Sequence, residues 1–229
     1  MELIEQSFFE ADISEAMLDH ASALVEVGVS VLVGDDGGFL TLDSLKNMSD
    51  ELYAHSAGVS MISCLIGKAM GWTSPKTLSK TSIAGMLHDT GKKQLPKDIA
   101  SKSVSLMIPS EIIQYETHPQ RAMEMLSDLN FVPSDVIQAV YQHHERINGT
   151  GFPNRLMDSR IYPIAKVLAV ADEFCHLYFK SEGREKMNPT EALHKLVSFY
   201  LEGLDPEMIV ALHRVFHAPI PKPLEKWVK

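Results

Sequence analysis

Apolar positions along this chain recur mostly at helical spacing, in blocks separated by proline and glycine. Residues 14–27 form the first block. A β-branched run at 29–33, the turn Gly34-Asp35-Asp36-Gly37-Gly38 and an apolar run at 39–42 follow it. Together they predict a helix and a β-hairpin. After Asp43 the β signals fade and the 3.6-residue period takes over. An amphipathic pattern spans 45–70 and stops at Gly71, and a second predicted helix covers 76–88, ahead of Gly91 and Pro96. Further helices are predicted over 111–117, 119–129, 134–145 and 164–179, with a glycine-rich loop at 148–154. Asn188-Pro189 and Asp205-Pro206 each set a capping side chain before a proline, the composition of a helix start. They predict the last two helices. Pro219-Ile220-Pro221-Lys222-Pro223 predicts an extended tail. The pattern predicts a mainly α bundle over 43–229, preceded by a small α+β segment at 1–42 that regulates or dimerises.

Composition narrows the class. With 229 residues and 45% apolar content, the chain can bury a sizeable core. The net charge is −9 and no block of lysine or arginine occurs, which argues against a general nucleic-acid binder. A small phosphorylated ligand stays compatible, because bound metal ions add positive charge that this count omits. Cys64 and Cys175 form no CxxC and read as small packing residues in a reducing compartment. The opening M-E-L-I-E-Q lacks the layout of a signal peptide, and no apolar run reaches bilayer length. The expectation is a cytoplasmic protein with neither DNA nor membrane as partner.

Two stretches carry the chemistry. One is Leu87-His88-Asp89-Thr90-Gly91-Lys92. The other is His143-His144-Glu145-Arg146-Ile147-Asn148-Gly149-Thr150-Gly151-Phe152-Pro153. Adjacent His-Asp and His-His pairs are costly to bury without partners, and a metal ion is such a partner. Two pairs in one chain point to a metal cluster. His55 lies on the predicted 45–70 helix with Glu51 one turn earlier, on the same face. His118 precedes Pro119 at a helix junction, and Asp172 interrupts the apolar run L-A-V-A-D. A buried carboxylate needs a cation or several hydrogen bonds. Imidazole with carboxylate suits iron, manganese or zinc, and the lack of thiolates argues against a cysteine-type structural zinc. His20, His176, His194, His213 and His217 have no motif around them and read as surface or packing histidines.

The order His55, His88-Asp89, Asp172 resembles the HD superfamily of metal-dependent phosphohydrolases. HDTGK and HHERINGTGFP are similar to the signatures HDxGK and HHExxxGxGYP of its HD-GYP subfamily, over roughly 43–200. The resemblance implies a helical bundle and a bacterial phosphodiesterase of cyclic di-GMP with two or three metals, commonly iron or manganese. It implies one metal on His55, His88, Asp89 and Asp172, and a second on Asp89, His118, His143 and His144. Asp89 then bridges them, and Glu51 helps hold a third. Iron is the expected metal, with manganese and zinc sharing the same ligand types. Two metals about 3.5–4 Å apart clamp the attacking and leaving oxygens and turn a bridging water into hydroxide. Asp89 and Lys92 are therefore the expected catalytic residues. Lys92, Gly151, Phe152 and Arg184 are the expected substrate contacts.

The chain departs from the subfamily in two places. Phe152 replaces the GYP tyrosine, losing its hydroxyl but keeping the ring. After Asp172 the subfamily reads D-x-F-D-A-L-T-x-x-R-P-Y-[KR]. Here Ser181 stands for the arginine and Gly183 for the tyrosine, while Arg184 keeps the last basic position. These departures bear on substrate more than on metal. The competing expectation is a metal-loaded, catalytically weak module that binds nucleotide or a GGDEF-domain partner. The full ligand set with Lys92 favours the enzyme. A homodimer is also expected.

Overall fold

Proline and a capping side chain start three of the helices. Ser74 Oγ accepts from Thr77 N at 3.3 Å, and Asp205 accepts from Glu207 N at 3.0 Å. Asn188 accepts from Glu191 N at 2.9 Å while its own N donates to the Glu191 carboxylate at 3.1 Å. Each is followed by a proline, whose missing N–H falls where the helix needs no donor. The computed structural model describes residues 51–179 and 187–228, with Ile13 and Leu45, though not the side chains of Glu51 and Leu52.

The helices are α1 (Glu51–Ala69), α2 (Pro75–Leu87), α3 (Lys97–Ala100), α4 (Pro109–Tyr115), α5 (His118–Ser127), α6 (Ser134–Gln142), α7 (Pro163–Tyr178), α8 (Pro189–Tyr200) and α9 (Pro206–Val215). Short 3-10 turns lie at Thr90–Gln94, Val104–Leu106, Asp158–Arg160 and Lys222–Trp227. No strand occurs among the described residues; Asn148 and Met157 form an isolated bridge. The fold is a mainly α bundle. The helix and hairpin expected within 1–42 lie outside the described residues, except for Ile13, which packs on the core.

α7 occupies the centre, in contact with α1, α2, α6, α8 and α9. Its sequence explains this. Val167, Leu168, Val170 and Phe174 are fully buried, so apolar side chains leave the helix in every direction. Each such side chain contributes about 1.5–3 kcal/mol on burial. Among them Asp172 is buried too. α1 packs along both α2 and α7, which brings His55 and His88 toward that carboxylate.

Two expectations are corrected. The helix predicted over 134–145 ends at Gln142, because its last turn gives way to the loop that carries the histidine pair. There the Gln142 side chain accepts from Tyr162 N at 2.7 Å, which ties the helix end to α7. The stretch 219–223 is irregular only through Pro221 and is packed on the core through Ile220, so it is not a free tail. Pro221 caps the 3-10 turn Lys222–Trp227, which folds Leu224 fully into the core. A proline starts helical turns as readily as it ends them.

Gly91 fixes the join between the first motif and α5. A Cβ there would lie 2.0 Å from His118 O and 2.6 Å from Ala122 N. The turn bearing Asp89 and Lys92 thus rests directly on the backbone that bears His118. Gly91→Ala is expected to lower stability by at least about 1–3 kcal/mol, read as a fall in urea midpoint at constant slope. A change within about 0.5 kcal/mol, the range of an ordinary surface substitution, would contradict this close approach.

Candidate metal centre

Asp89 stands where two groups of histidines meet. Its Oδ2 lies 3.3 Å from His88 Nε2, and its Oδ1 lies 3.4 Å from His118 Nε2 and 3.9 Å from His143 Nε2. Asp172 faces it from α7. Asp172 Oδ1 is 2.9 Å from His55 Nε2 and 3.6 Å from His88 Nε2, and its Oδ2 is 4.0 Å from His144 Nδ1. Donor atoms of Asp89, His118, His143 and His144 lie within 4.8 Å of one another, and so do those of His55, His88 and Asp89. Three helices and two turns contribute to this cluster, whose residues span 55 to 172 in sequence.

Local backbone sets the direction of three imidazoles. His88 Nδ1 donates to Gly85 O at 2.7 Å, His118 Nδ1 to Tyr115 O at 2.7 Å and His143 Nδ1 to Val140 O at 2.6 Å. A carbonyl only accepts, so each Nδ1 carries a proton, and in His118 and His143, which are neutral, Nε2 presents a lone pair. The same device recurs three times because each histidine stands three residues after a carbonyl in the last or first turn of a helix. The consequence is a conflict that only a cation resolves. His118 Nε2 and His143 Nε2 face each other at 3.3 Å, lone pair to lone pair. His88 Nε2, Asp89 Oδ1 and His144 Nε2 are buried with no hydrogen-bond partner. Leaving such groups unpaired costs several kcal/mol in all. Metal ions on these atoms fit, since nitrogen and oxygen donors of this kind are the ones iron, manganese and zinc take. The clusters are suited to a dinuclear metal site.

The titration behaviour agrees. Burial holds His118 and His144 well below the usual histidine range. Burial and the neighbouring His176 bring His55 down to about 4, and burial with His88 brings His143 to about 4. These four are neutral at physiological pH, the form that binds metals. Burial would raise Asp89, but His88 and Lys92 outweigh it and keep the carboxylate ionised. Burial opposes charge on His88 as well, yet Asp89 and Asp172 prevail and raise it to about 10. A proton on His88 and a metal ion answer the same field, because each puts positive charge between the two carboxylates.

Around the donors, Lys92 is only 7% exposed; its Nζ donates to Asp89 Oδ2 at 2.6 Å and lies 5.2 Å from the centre of the Tyr115 ring. Burial works against its charge, but Asp89 keeps it protonated. Phe152 stacks on His144 with ring centres 4.5 Å apart at 29°. Gly151 allows that stack, because a Cβ there would come within 2.4 Å of both Arg146 N and His144 O. Glu51 heads α1, but its side chain lies outside the described residues, and Arg184, Ser181 and Gly183 lie outside them altogether.

Three participants escaped the sequence reading. Glu145 is buried and its two carboxylate oxygens accept from Asn154 N at 2.7 Å and Leu156 N at 2.8 Å, stapling the glycine loop beneath the histidine pair. Tyr115 supplies the carbonyl that orients His118 and the ring beneath Lys92. His176, read as a surface or packing residue, places Nδ1 2.9 Å from Asp172 Oδ1. Its position one helical turn after Asp172 was the available signal.

The HD domain family matches residues 41–208 of the chain. Over 181 residues, 79% of this chain, it is 32% identical to the cyclic di-GMP phosphodiesterase PA4108 of Pseudomonas aeruginosa, of which it covers 43%. It is 27% identical to a cyclic di-GMP phosphodiesterase of Thermotoga maritima, over 77% of this chain and 49% of that protein. The chain thus spans less than half the length of these relatives. In fold it is similar to Bd1817, an HDG"Y"P protein from Bdellovibrio bacteriovorus, with a TM-score of 0.73 and 22% identity, over 94% of this chain and 68% of that one. The helical bundle, the converging histidines and these matches together place the chain in the HD superfamily, as an HD-GYP-like phosphohydrolase domain.

Proposed function

We propose that this chain is a metal-dependent phosphodiesterase that hydrolyses a cyclic dinucleotide, cyclic di-GMP first among them. One ion is held by His55, His88, Asp89 and Asp172, the other by Asp89, His118, His143 and His144. Iron is the proposed metal, and Glu51 is the proposed contributor to a third. The carrying observation is Asp89, whose two oxygens lie 3.3 Å and 3.4 Å from histidines of the two different sets. The matched relatives described as cyclic di-GMP phosphodiesterases support the substrate class.

When bound, such an ion pair supplies Lewis acidity and an activated water for phosphodiester hydrolysis. The protein's own residues supply the rest. Asp89 draws Lys92 to its Oδ2, so a charged amine stays beside the carboxylate shared by the two sets. From there Lys92 offsets negative charge that develops on the phosphate oxygens. The Tyr115 ring beneath it shields the amine from water, and lower dielectric strengthens its attraction for that negative charge. Phe152 fixes the His144 plane and walls the site next to it, and Gly151 lets the loop lie close to the helix end. Arg184 is the proposed second phosphate contact. Residues 43–229 form the hydrolase domain in this reading, with 1–42 as a regulatory or dimerising segment.

The direct test is to load the protein with iron or manganese, add cyclic di-GMP and measure linear pGpG and GMP. Turnover is expected, with cyclic GMP-AMP as the comparison substrate. Asp89→Ala is expected to abolish both metal binding and turnover. Lys92→Ala is expected to keep the metal and to lose about 10²–10³ in kcat, the scale for one electrostatic donor. A metal-replete wild type that leaves both dinucleotides intact would favour the nucleotide- or partner-binding module instead.

Metal uptake is expected to depend on pH. His88 is raised to about 10, so it holds a proton at neutral pH that metal must displace, whereas His55 and His143, at about 4, have none to lose. Proton and metal compete, so affinity should rise with pH, by about tenfold per unit between about pH 6 and 8 for one proton released. Isothermal titration in buffers of different ionisation enthalpy counts that proton. Binding with no proton release and a flat pH profile would contradict the placement of charge on His88.

A further inference from the structure

We propose that His176 is an additional metal ligand at the outer edge of this centre, forming with His55 and Asp172 a His-Asp-His mount for a divalent ion of the iron, manganese or zinc class. The inference rests on the reading that the centre holds metal, and adds to it a residue that the subfamily pattern, with alanine at this position, does not provide.

The geometry carries it. His176 follows Asp172 by one turn of α7, so both side chains leave the helix on one face. Its Nδ1 lies 2.9 Å from Asp172 Oδ1, and His55 Nε2 lies 2.9 Å from the same oxygen. The three donor atoms fall within 4.8 Å of one another. Metal bonds of about 2.0–2.2 Å set adjacent donors about 3 Å apart when they meet at right angles. Both measured edges have that length. The His55 and His176 rings stand edge to face, 4.3 Å between centres at 81°, so their nitrogens reach the shared oxygen from different sides. They do not stack, which would turn the donor atoms away from a common point.

Position also matters. The His88, His118 and His143 side chains are completely buried, while that of His176 is 44% exposed. The mount therefore lies at the solvent face of the centre, where an incoming phosphate would arrive. The helices that bear it are firmly packed, since Phe174 and Cys175 on α7 and Val59 on α1 are fully buried. Against this stands a narrower role. Nδ1 also lies 3.0 Å from Asp172 O, a carbonyl that only accepts, so without metal Nδ1 carries a proton and holds the Asp172 carboxylate in place; an ion at Nδ1 requires the tautomer with its proton on Nε2. The two roles ask different things of the side chain. A ligand needs a lone pair or a negative charge; a positioning residue needs an N–H.

The test compares wild type with His176→Ala, His176→Lys and His176→Asp, each stripped of metal and titrated with Co(II). Bound cobalt per chain and the visible ligand-field spectrum are the readouts. His176→Ala should bind one ion at least about tenfold more weakly and change the spectrum. His176→Asp, which has a negative charge and no N–H, should restore binding, and His176→Lys, which donates but has no lone pair when charged, should not. Loss of the ion pair with Asp172 should lower the urea midpoint of the metal-free variants, but each should keep the wild-type circular dichroism, which separates lost binding from lost fold. Wild-type affinity and spectrum in His176→Ala would overturn the proposal. So would restoration by lysine equal to that by aspartate, which would assign His176 to positioning Asp172. A wild type that binds no Co(II) would overturn the metal centre itself, and His176 as a ligand with it.

Discussion

Two carboxylates, Asp89 and Asp172, are buried in the middle of a helical bundle, and the rest of the site follows from what that burial demands. An ionised carboxylate away from water costs several kcal/mol unless opposite charge and hydrogen bonds surround it. Here Lys92 and the histidines supply that surrounding. Hydrogen bonds alone do not complete it. His118 and His143 spend their only proton on a backbone carbonyl and turn lone pairs inward. Lone pairs around carboxylates repel, and a cation converts that repulsion into coordination. The bundle is built to hold positive charge at this point.

The fold serves this by bringing distant segments to one place and then locking each. α7 is apolar enough to sit at the centre and so carries Asp172 into the interior. α1 and α2 pack against it and deliver His55 and His88. Gly91 lets the first motif lie against α5, which fixes Asp89 relative to His118. On the opposite side Glu145 holds the glycine loop by two backbone N–H groups, and the loop returns Phe152 to stack on His144. The spacing of residues within each motif thus has separate causes: histidines for donors, glutamate for the loop, glycine for the close approach, an aromatic ring for support.

Much of this was legible in the sequence because the relevant signals are local. Asn188-Pro189 and Asp205-Pro206 name helix starts by capping chemistry, and His88-Asp89 and His143-His144 name donors by adjacency. The helix end at Gln142 was not legible, since the bond from Tyr162 N that secures it joins residues twenty positions apart. The tail was misread for a similar reason: burial of Leu224 depends on a core surface that no local pattern displays. His176 was overlooked because it belongs to no motif, and only the folded helix shows it beside Asp172 and His55. Short turns such as Lys97–Ala100 are below the length at which periodicity carries information.

The central claim is that Asp89 joins two metal ions in one centre. Electron paramagnetic resonance of the manganese-loaded protein, read together with its metal content, tests this most directly. At least two ions per chain are expected, with the exchange-coupled signal of ions about 3.5–4 Å apart sharing a bridging ligand. A single ion per chain, or two ions with independent signals, would contradict a centre bridged by Asp89.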